Sequence, residues 1–108
     1  MALYYSGPDG RCLRAILQPA STSTLKTADA AIKAAPGVLL GVVVLTDGTN
    51  DATLTIYDNA SAASGDELFK AIVPAADRTL VARLGVRATN GIYADISGTG
   101  AAYIVYYL

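Results

Sequence analysis

The acidic side chains are the first candidates for chemistry in this 108-residue chain, which has no His and a single Glu, Glu67. General acid–base catalysis usually draws on His or on a pair of carboxyls with shifted pKa values. The Asp residues fall mostly in turn-forming segments, where an Asp side chain typically caps the local backbone. The sequence therefore predicts no catalytic residues, and we expect a protein that is not an enzyme.

A group of Asp and Asn side chains has the oxygen ligands that Ca²⁺ takes in proteins. Its members are Asp47, Asn50, Asp51, Asp58 and Asn59. Their spacing lacks the alternating D-x-D-x-D-G pattern and the Glu that ends a calcium loop. Two hairpin loops at one end of a β-sandwich explain the group equally well, so we expect no metal.

Cys12 is the only thiol, and it therefore forms no internal disulfide. With no His, the usual Cys/His metal site is excluded. Arg11 and Arg14 stand close enough in sequence to lower the pKa of the thiol, but no base accompanies it. Gly98-Thr99-Gly100 precedes no helix that would bind phosphate with its amides. We expect a packed thiol and no cofactor.

Composition limits the partners that this chain can have. Charged residues make up 16% of the sequence and apolar residues 53%, a balance that excludes disorder over the whole length. The net charge of −1 gives no general attraction to nucleic acid or to an anionic membrane. The longest apolar run, residues 38–45, is far shorter than the roughly 20 residues of a membrane-spanning helix. The N-terminus lacks the pattern of a signal peptide.

Turn signals recur at short intervals, and the stretches between them are too short for ordinary helices. Strands are predicted near residues 2–6, 11–17, 29–35, 38–46, 52–58, 68–73, 79–88, 92–97 and 101–107. The segment 27–35 also fits a helix of two turns that Pro36 would end. Eight or nine short strands predict an all-β antiparallel sandwich or barrel. We expect residues 1–27 to form an arm and linker, with room for one or two strands, and residues 28–108 to form the sandwich domain.

Residues 79–88 alternate between an apolar face and a face that carries Arg83 and Arg87. A three-residue loop, Thr89-Asn90-Gly91, would place residue 88 opposite residue 92 and keep two apolar faces together. Gly91 would then take the left-handed position of the turn. The predicted hairpin exposes a basic and aromatic face formed by Arg83, Arg87 and Tyr93, with an Arg87–Asp95 pair. The overall acidity favours a solvated face or a protein contact there over nucleic acid.

Two segments, 38–45 and 101–108, are apolar on both faces. In the second, Tyr103, Val105 and Tyr107 share one face, and Ile104, Tyr106 and Leu108 share the other. Either each such strand is covered on both sides, or its second face meets another subunit. Tyr is enriched at interfaces, and a thin domain has little to cover a second face with. We therefore expect an oligomer or capsid interface at Tyr4, Tyr5, Tyr103, Tyr106, Tyr107 and Leu108.

Residues 32–107 resemble a group of small all-β virion structural proteins of tailed bacteriophages. The resemblance lies in the segments IKAAPGVLLGVVVL, ATLTIYDNASAASG and NGIYADISGTGAAYIVYY. It implies a jelly-roll-like sandwich in the virion, made in the host bacterium, that decorates or stabilises a capsid or belongs to a head fibre or tail accessory. It also implies a homo-oligomer, with a trimer favoured, bound to the major capsid protein or another virion protein. A receptor- or carbohydrate-binding module is the alternative.

Overall fold

A computed structural model describes residues 19–108. The expected strands at 2–6 and 11–17, together with Tyr4, Tyr5 and Cys12, lie outside the described residues. The described chain has eight strands and one short 3-10 helix. They are β1 (Ser21–Thr22), β2 (Ala30–Lys33), β3 (Gly37–Leu45), β4 (Ala52–Tyr57), β5 (Glu67–Val73), the 3-10 helix (Ala75–Asp77), β6 (Thr79–Ala88), β7 (Ile92–Ser97) and β8 (Ala102–Tyr107).

The predicted all-β class is confirmed, since all eight strands lie in antiparallel sheets. From β3 to β8, each strand begins and ends within about one residue of its predicted bounds. The segment 27–35 forms strand β2, so its interpretation as a helix was wrong. Residues 1–27 were expected to have room for one or two strands, but the position of β1 was not predicted, because residues 21–22 belong to a Ser- and Thr-rich stretch without apolar alternation.

The strands form two sheets of four. Sheet A has the order β1-β8-β3-β6, and sheet B has the order β2-β7-β4-β5. Consecutive strands alternate between the sheets, apart from β4 and β5, which pair as a hairpin. The two strands that are apolar on both faces, β3 and β8, are therefore neighbours in the middle of sheet A.

The inward sides of the two sheets form one core. The fully buried side chains come mainly from the central strands; they are Leu39, Val42 and Val44 of β3, Leu54 and Ile56 of β4, Ile92 of β7, and Tyr103 and Val105 of β8. Burying an aliphatic side chain of this size stabilises a fold by about 1.5–3 kcal/mol. Strands β5 and β6 are sheet edges, and most of their inward residues are only half-buried, with Val73 and Ala88 as the buried exceptions.

Tyr103 is the largest fully buried side chain. Its hydroxyl donates a 2.7 Å hydrogen bond to the carbonyl oxygen of Ala28, just before β2. Burial, with smaller contributions from the negative charge of Asp29 and from the nearby Tyr93, raises the pKa of Tyr103 to about 12. The side chain thus ties the segment before β2 to the last strand of the core.

The predicted hairpin between β6 and β7 is wrong. Strand β6 pairs with β3 in sheet A, whereas β7 pairs with β2 and β4 in sheet B. The loop 89–91 therefore crosses from one sheet to the other. Gly91 does not have a positive φ; its lack of a side chain is required because a Cβ would lie 2.7 Å from the Cα of Ala60. The alternation of 79–88 is confirmed, with residues 80, 82, 84, 86 and 88 turned inward.

The segment before β2 is attached to the sandwich. Ser21 and Thr22 pair with Tyr107 and Tyr106 of β8, and Lys26 exchanges two 2.9 Å backbone hydrogen bonds with Tyr103. Residues 21–26 therefore line the edge of β8, where we expected a flexible connection. In residues 19–108, no helix has the length and apolar character needed to cross a membrane.

Candidate functional site

The outward side of sheet A, which we call face A, has an apolar centre. Val43 of β3 lies opposite Val81 of β6 and opposite Ile104 of β8, so the three side chains form one row across the sheet. Val81 is 64% exposed, and Tyr106, two positions beyond Ile104, is 38% exposed. A continuous apolar surface of this kind is typical of a contact with another protein.

The edge strand β6 adds a basic margin to face A. Arg83 and Arg87 are exposed on the outward side of β6. Gly85 lies between them, and a Cβ placed there would meet nothing within 4 Å. Face A thus presents two cations separated by an open space. Arg87 also contributes to an open cleft of about 490 Å³ at the end of the strand, beside Val38 and Thr89.

The outward side of sheet B, which we call face B, is aromatic and polar. Tyr57 of β4 lies directly opposite Tyr93 of β7, and Glu67 of β5 lies opposite Tyr57. In the next row, Thr55 separates Asp95 from Lys70. The single large apolar side chain that is strongly exposed on this face is Ile72, at the outer edge. Face B therefore differs from face A in both polarity and charge.

Two carboxyls meet on face B. Asp29 precedes β2, and its Oδ1 accepts a 2.8 Å hydrogen bond from the backbone N–H of Ile96 on β7. This places its carboxyl beside that of Asp95. Burial, followed by the charge of Asp29 and a hydrogen bond between the two carboxyls, raises the pKa of Asp95. Two carboxyls therefore lie side by side at this corner of face B.

The expected face of Arg83, Arg87 and Tyr93 is not formed. The two Arg residues lie on face A and Tyr93 lies on face B, on the opposite side of the sandwich. The expected Arg87–Asp95 pair is likewise impossible within one chain. The cause is the loop 89–91, which turns the chain into the other sheet where a hairpin was predicted.

The expected interface residues of β8 divide between the two sides of sheet A. Tyr106 belongs to face A, whereas Tyr107 packs against the core. Leu108 continues β8 by exchanging backbone hydrogen bonds of 3.0 and 2.9 Å with Val38. Tyr103 has 0% exposure, so it offers no surface to a partner, and its inclusion in the interface was wrong.

The Asp and Asn side chains considered for Ca²⁺ do not form one group. Asp47 accepts hydrogen bonds from the backbone N–H groups of Thr49 and Asn50, chiefly Asn50, and these bonds lower its pKa. Asp51 accepts from the N–H of Ala75. Asp58 lies at the far end of β4 from Asp51. Among residues 19–108, no three His, Cys, Asp or Glu side chains are placed to hold a metal ion.

Asp58 has a structural role that the sequence did not indicate. It accepts hydrogen bonds from the whole loop that joins β6 to β7, at Thr89, Asn90 and Gly91. Because Asp58 follows a predicted strand, the sequence indicated only that its side chain would cap the neighbouring backbone. Nothing in the spacing of residues 58 and 89 reveals that the two ends meet.

The described fold belongs to the all-β class and consists of two four-stranded antiparallel sheets. One outer face is apolar and basic, and the other is aromatic and acidic. Comparison of the chain with protein-family models, curated proteins and solved structures gave no match.

Proposed function

We propose that the chain is a non-enzymatic structural subunit of a tailed-phage virion, which assembles with copies of itself and binds the capsid surface as a decoration or cement protein. The observation that carries the proposal is the outward apolar row of Val81, Val43 and Ile104 on face A, in which Val81 is 64% exposed. Such a row on a small sandwich is suited to lasting contact with another protein. The resemblance of residues 32–107 to virion proteins supports the same role and favours a trimer.

We also propose that the sandwich is a jelly roll. A jelly roll is an eight-stranded antiparallel ribbon wound so that its outermost strands pair with each other, as do its innermost strands. The pairs β1–β8, β2–β7, β3–β6 and β4–β5 support this winding. Jelly rolls are frequent in viral capsid proteins, although a fold does not by itself fix a function.

The test has two parts. Light scattering behind size exclusion measures the native mass, which we expect to be three times 11.1 kDa. Sedimentation with purified tailed-phage heads measures capsid binding, and we expect the protein in the pellet. The variant Val81→Ser with Ile104→Ser should reduce both. Leu25→Ser, which removes an aliphatic side chain that is 58% exposed outside the row, should reduce neither. A folded monomer that stays in the supernatant would contradict the proposal.

A carbohydrate-binding module is the second candidate, and the Tyr57–Tyr93 pair on face B favours it. Two adjacent rings can stack on a sugar, and the carboxyl of Asp95 can accept bonds from sugar hydroxyls. A glycan array would then give a reproducible signal that Tyr93→Ala abolishes. An array without such a signal would remove this candidate.

A further inference from the structure

The two outer faces of the sandwich carry opposite charges. On face A the charged side chains are Arg83 and Arg87, both exposed. On the part of face B formed by β4, β5, β7 and the adjoining Asp29, three carboxyls, those of Asp29, Glu67 and Asp95, accompany one ammonium group, that of Lys70. These described side chains sum to +2 on face A and to −2 on this part of face B, while the whole chain carries −1.

The distance between the two Arg residues of face A is similar to the distance between two carboxyls of face B. Arg83 and Arg87 are four strand residues apart, which is about 13 Å. On face B, Glu67 and Asp95 are separated by two strand spacings and two residues, which is about 12 Å on the diagonal. The Tyr57–Tyr93 pair lies beside this diagonal, in the same row as Glu67. On face A the corresponding place is the open space at Gly85, where a Cβ would meet nothing within 4 Å.

The charged groups of face A and of face B cannot contact each other within one chain, because the two faces lie on opposite sides of the core. They can meet between two copies, with face A of one copy on face B of the next. Each Arg would then reach a carboxyl and lie against a Tyr ring, an arrangement that favours Arg through paired hydrogen bonds and cation–π contact. The aliphatic row of face A would be covered in the same contact.

We propose that the protein assembles head to tail, with Arg83 and Arg87 of one copy bound to the Glu67–Tyr57–Tyr93–Asp95 surface of a second copy. The contact joins two surfaces of one chain that face in opposite directions, so repeated contacts extend into an open filament. The inference rests on the proposed function for the self-association of the chain, and the trimer that the resemblance favours would form through a different contact.

The experiment is a charge exchange measured by light scattering over a range of protein concentrations. Arg87→Glu and Asp95→Arg, made separately, should each weaken association by about tenfold or more. Arg87→Glu combined with Asp95→Arg should recover most of that loss. The matched control combines Arg87→Glu with Asp77→Arg, which gives the same net charge but places the new cation on the 3-10 helix; it should recover nothing. Circular dichroism checks that each variant is folded.

The outcomes separate the inference from the proposed function. A wild-type oligomer that the single reversals leave unchanged overturns the head-to-tail contact and leaves the virion role standing. Equal recovery in the exchange and in its control also overturns it. A wild-type protein that is monomeric at all concentrations overturns the inference, while sedimentation with phage heads still decides capsid binding on its own. Addition of salt should weaken the wild-type assembly, since exposed charge pairs are screened.

Discussion

The carboxylate of Asp58 accepts a 2.6 Å hydrogen bond from the hydroxyl of Thr89, which lies 31 residues further along the chain. The backbone N–H groups of Thr89, Asn90 and Gly91 donate to the same carboxylate at 3.2, 2.7 and 3.3 Å. Asp58 follows β4 of sheet B, and Thr89 follows β6 of sheet A. One side chain therefore holds the loop that carries the chain between the two sheets.

Asp58→Asn should lower the melting temperature by several degrees. The amide keeps one oxygen acceptor but turns its NH₂ group toward backbone donors, which leaves hydrogen bonds unmade at a buried position. Thermal unfolding measures the effect. Asp66→Asn removes a nearby charge that makes no such side-chain bonds, and it should leave the melting temperature unchanged. Equal effects of the two substitutions would contradict this role of Asp58.

The same residue should make the fold sensitive to acid. The hydroxyl of Thr89, followed by the N–H of Asn90, lowers the pKa of Asp58 to about 2 from an ordinary value of 3.8. Because the folded-state pKa is the lower one, the stabilisation is complete above about pH 4 and is lost as the pH falls toward 2. Urea unfolding between these pH values should show a steeper loss for the wild type than for Asp58→Asn. Parallel pH profiles would refute the assignment.

Asp95 should act in the opposite direction. Burial and the neighbouring carboxyl of Asp29 raise its pKa, so the fold gains stability as the pH falls through that raised value and is penalised above it. Asp95→Asn should therefore raise the urea midpoint at neutral pH and have little effect in acid. The measurement uses dilute protein, so that assembly does not contribute. Asp66→Asn again serves as the control, and a lower midpoint for Asp95→Asn would contradict the prediction.

Tyr103 gives a test of the core. Tyr103→Phe removes the 2.7 Å hydrogen bond to the carbonyl oxygen of Ala28, which should cost about 1 kcal/mol of unfolding free energy. Tyr103→Ala also leaves a cavity and should cost about 3–5 kcal/mol. Tyr106→Phe, at an exposed position, should cost nothing. Chemical denaturation measures the unfolding free energy of all three variants. If Tyr106→Phe lowered it as much as Tyr103→Phe, the predicted difference between the buried and the exposed tyrosine would be wrong.

Substitution by alanine should lower the unfolding free energy at one glycine and leave it almost unchanged at another. Gly98 has a φ of +116°, and a Cβ there would collide with the carbonyl oxygen of Asp51. Gly98→Ala should therefore cost about 2 kcal/mol or more. Gly85→Ala adds a methyl group in open space and should leave the unfolding free energy of the monomer almost unchanged. The denaturant midpoints of the two variants measure the difference, and similar losses of stability in both would contradict the prediction.

The strands were predictable because their signals are local. Alternation in residues 79–88 and the turn residues between strands depend only on neighbours in the sequence, and the structure has those strands almost where they were expected. The pairing of strands was not predictable in the same way. A short loop such as 89–91 fits a hairpin and a crossing between sheets equally well, and the choice depends on which sheet buries Ile92.

The candidate surfaces depend on pairing, and for that reason the sequence revealed them only in part. The outward positions of β4 and β7 follow from their period of two, but the register that sets Tyr57 beside Tyr93 does not. The meeting of Asp29 with Asp95 depends in addition on the path of residues 23–29. Tyr103 was assigned to an interface because an apolar strand does not reveal which of its faces meets the second sheet.

The position of β8 has a consequence for how the protein folds. Residues 102–107 lie in the interior of sheet A, between β1 and β3, and β1 pairs there with residues more than eighty positions away. Sheet A therefore cannot form while the ribosome is still adding these residues. Contacts between such distant parts of a chain also make folding slow. Until residues 102–107 are added, the apolar residues of β3 lack their neighbour β8, and a chain in that state is prone to aggregation.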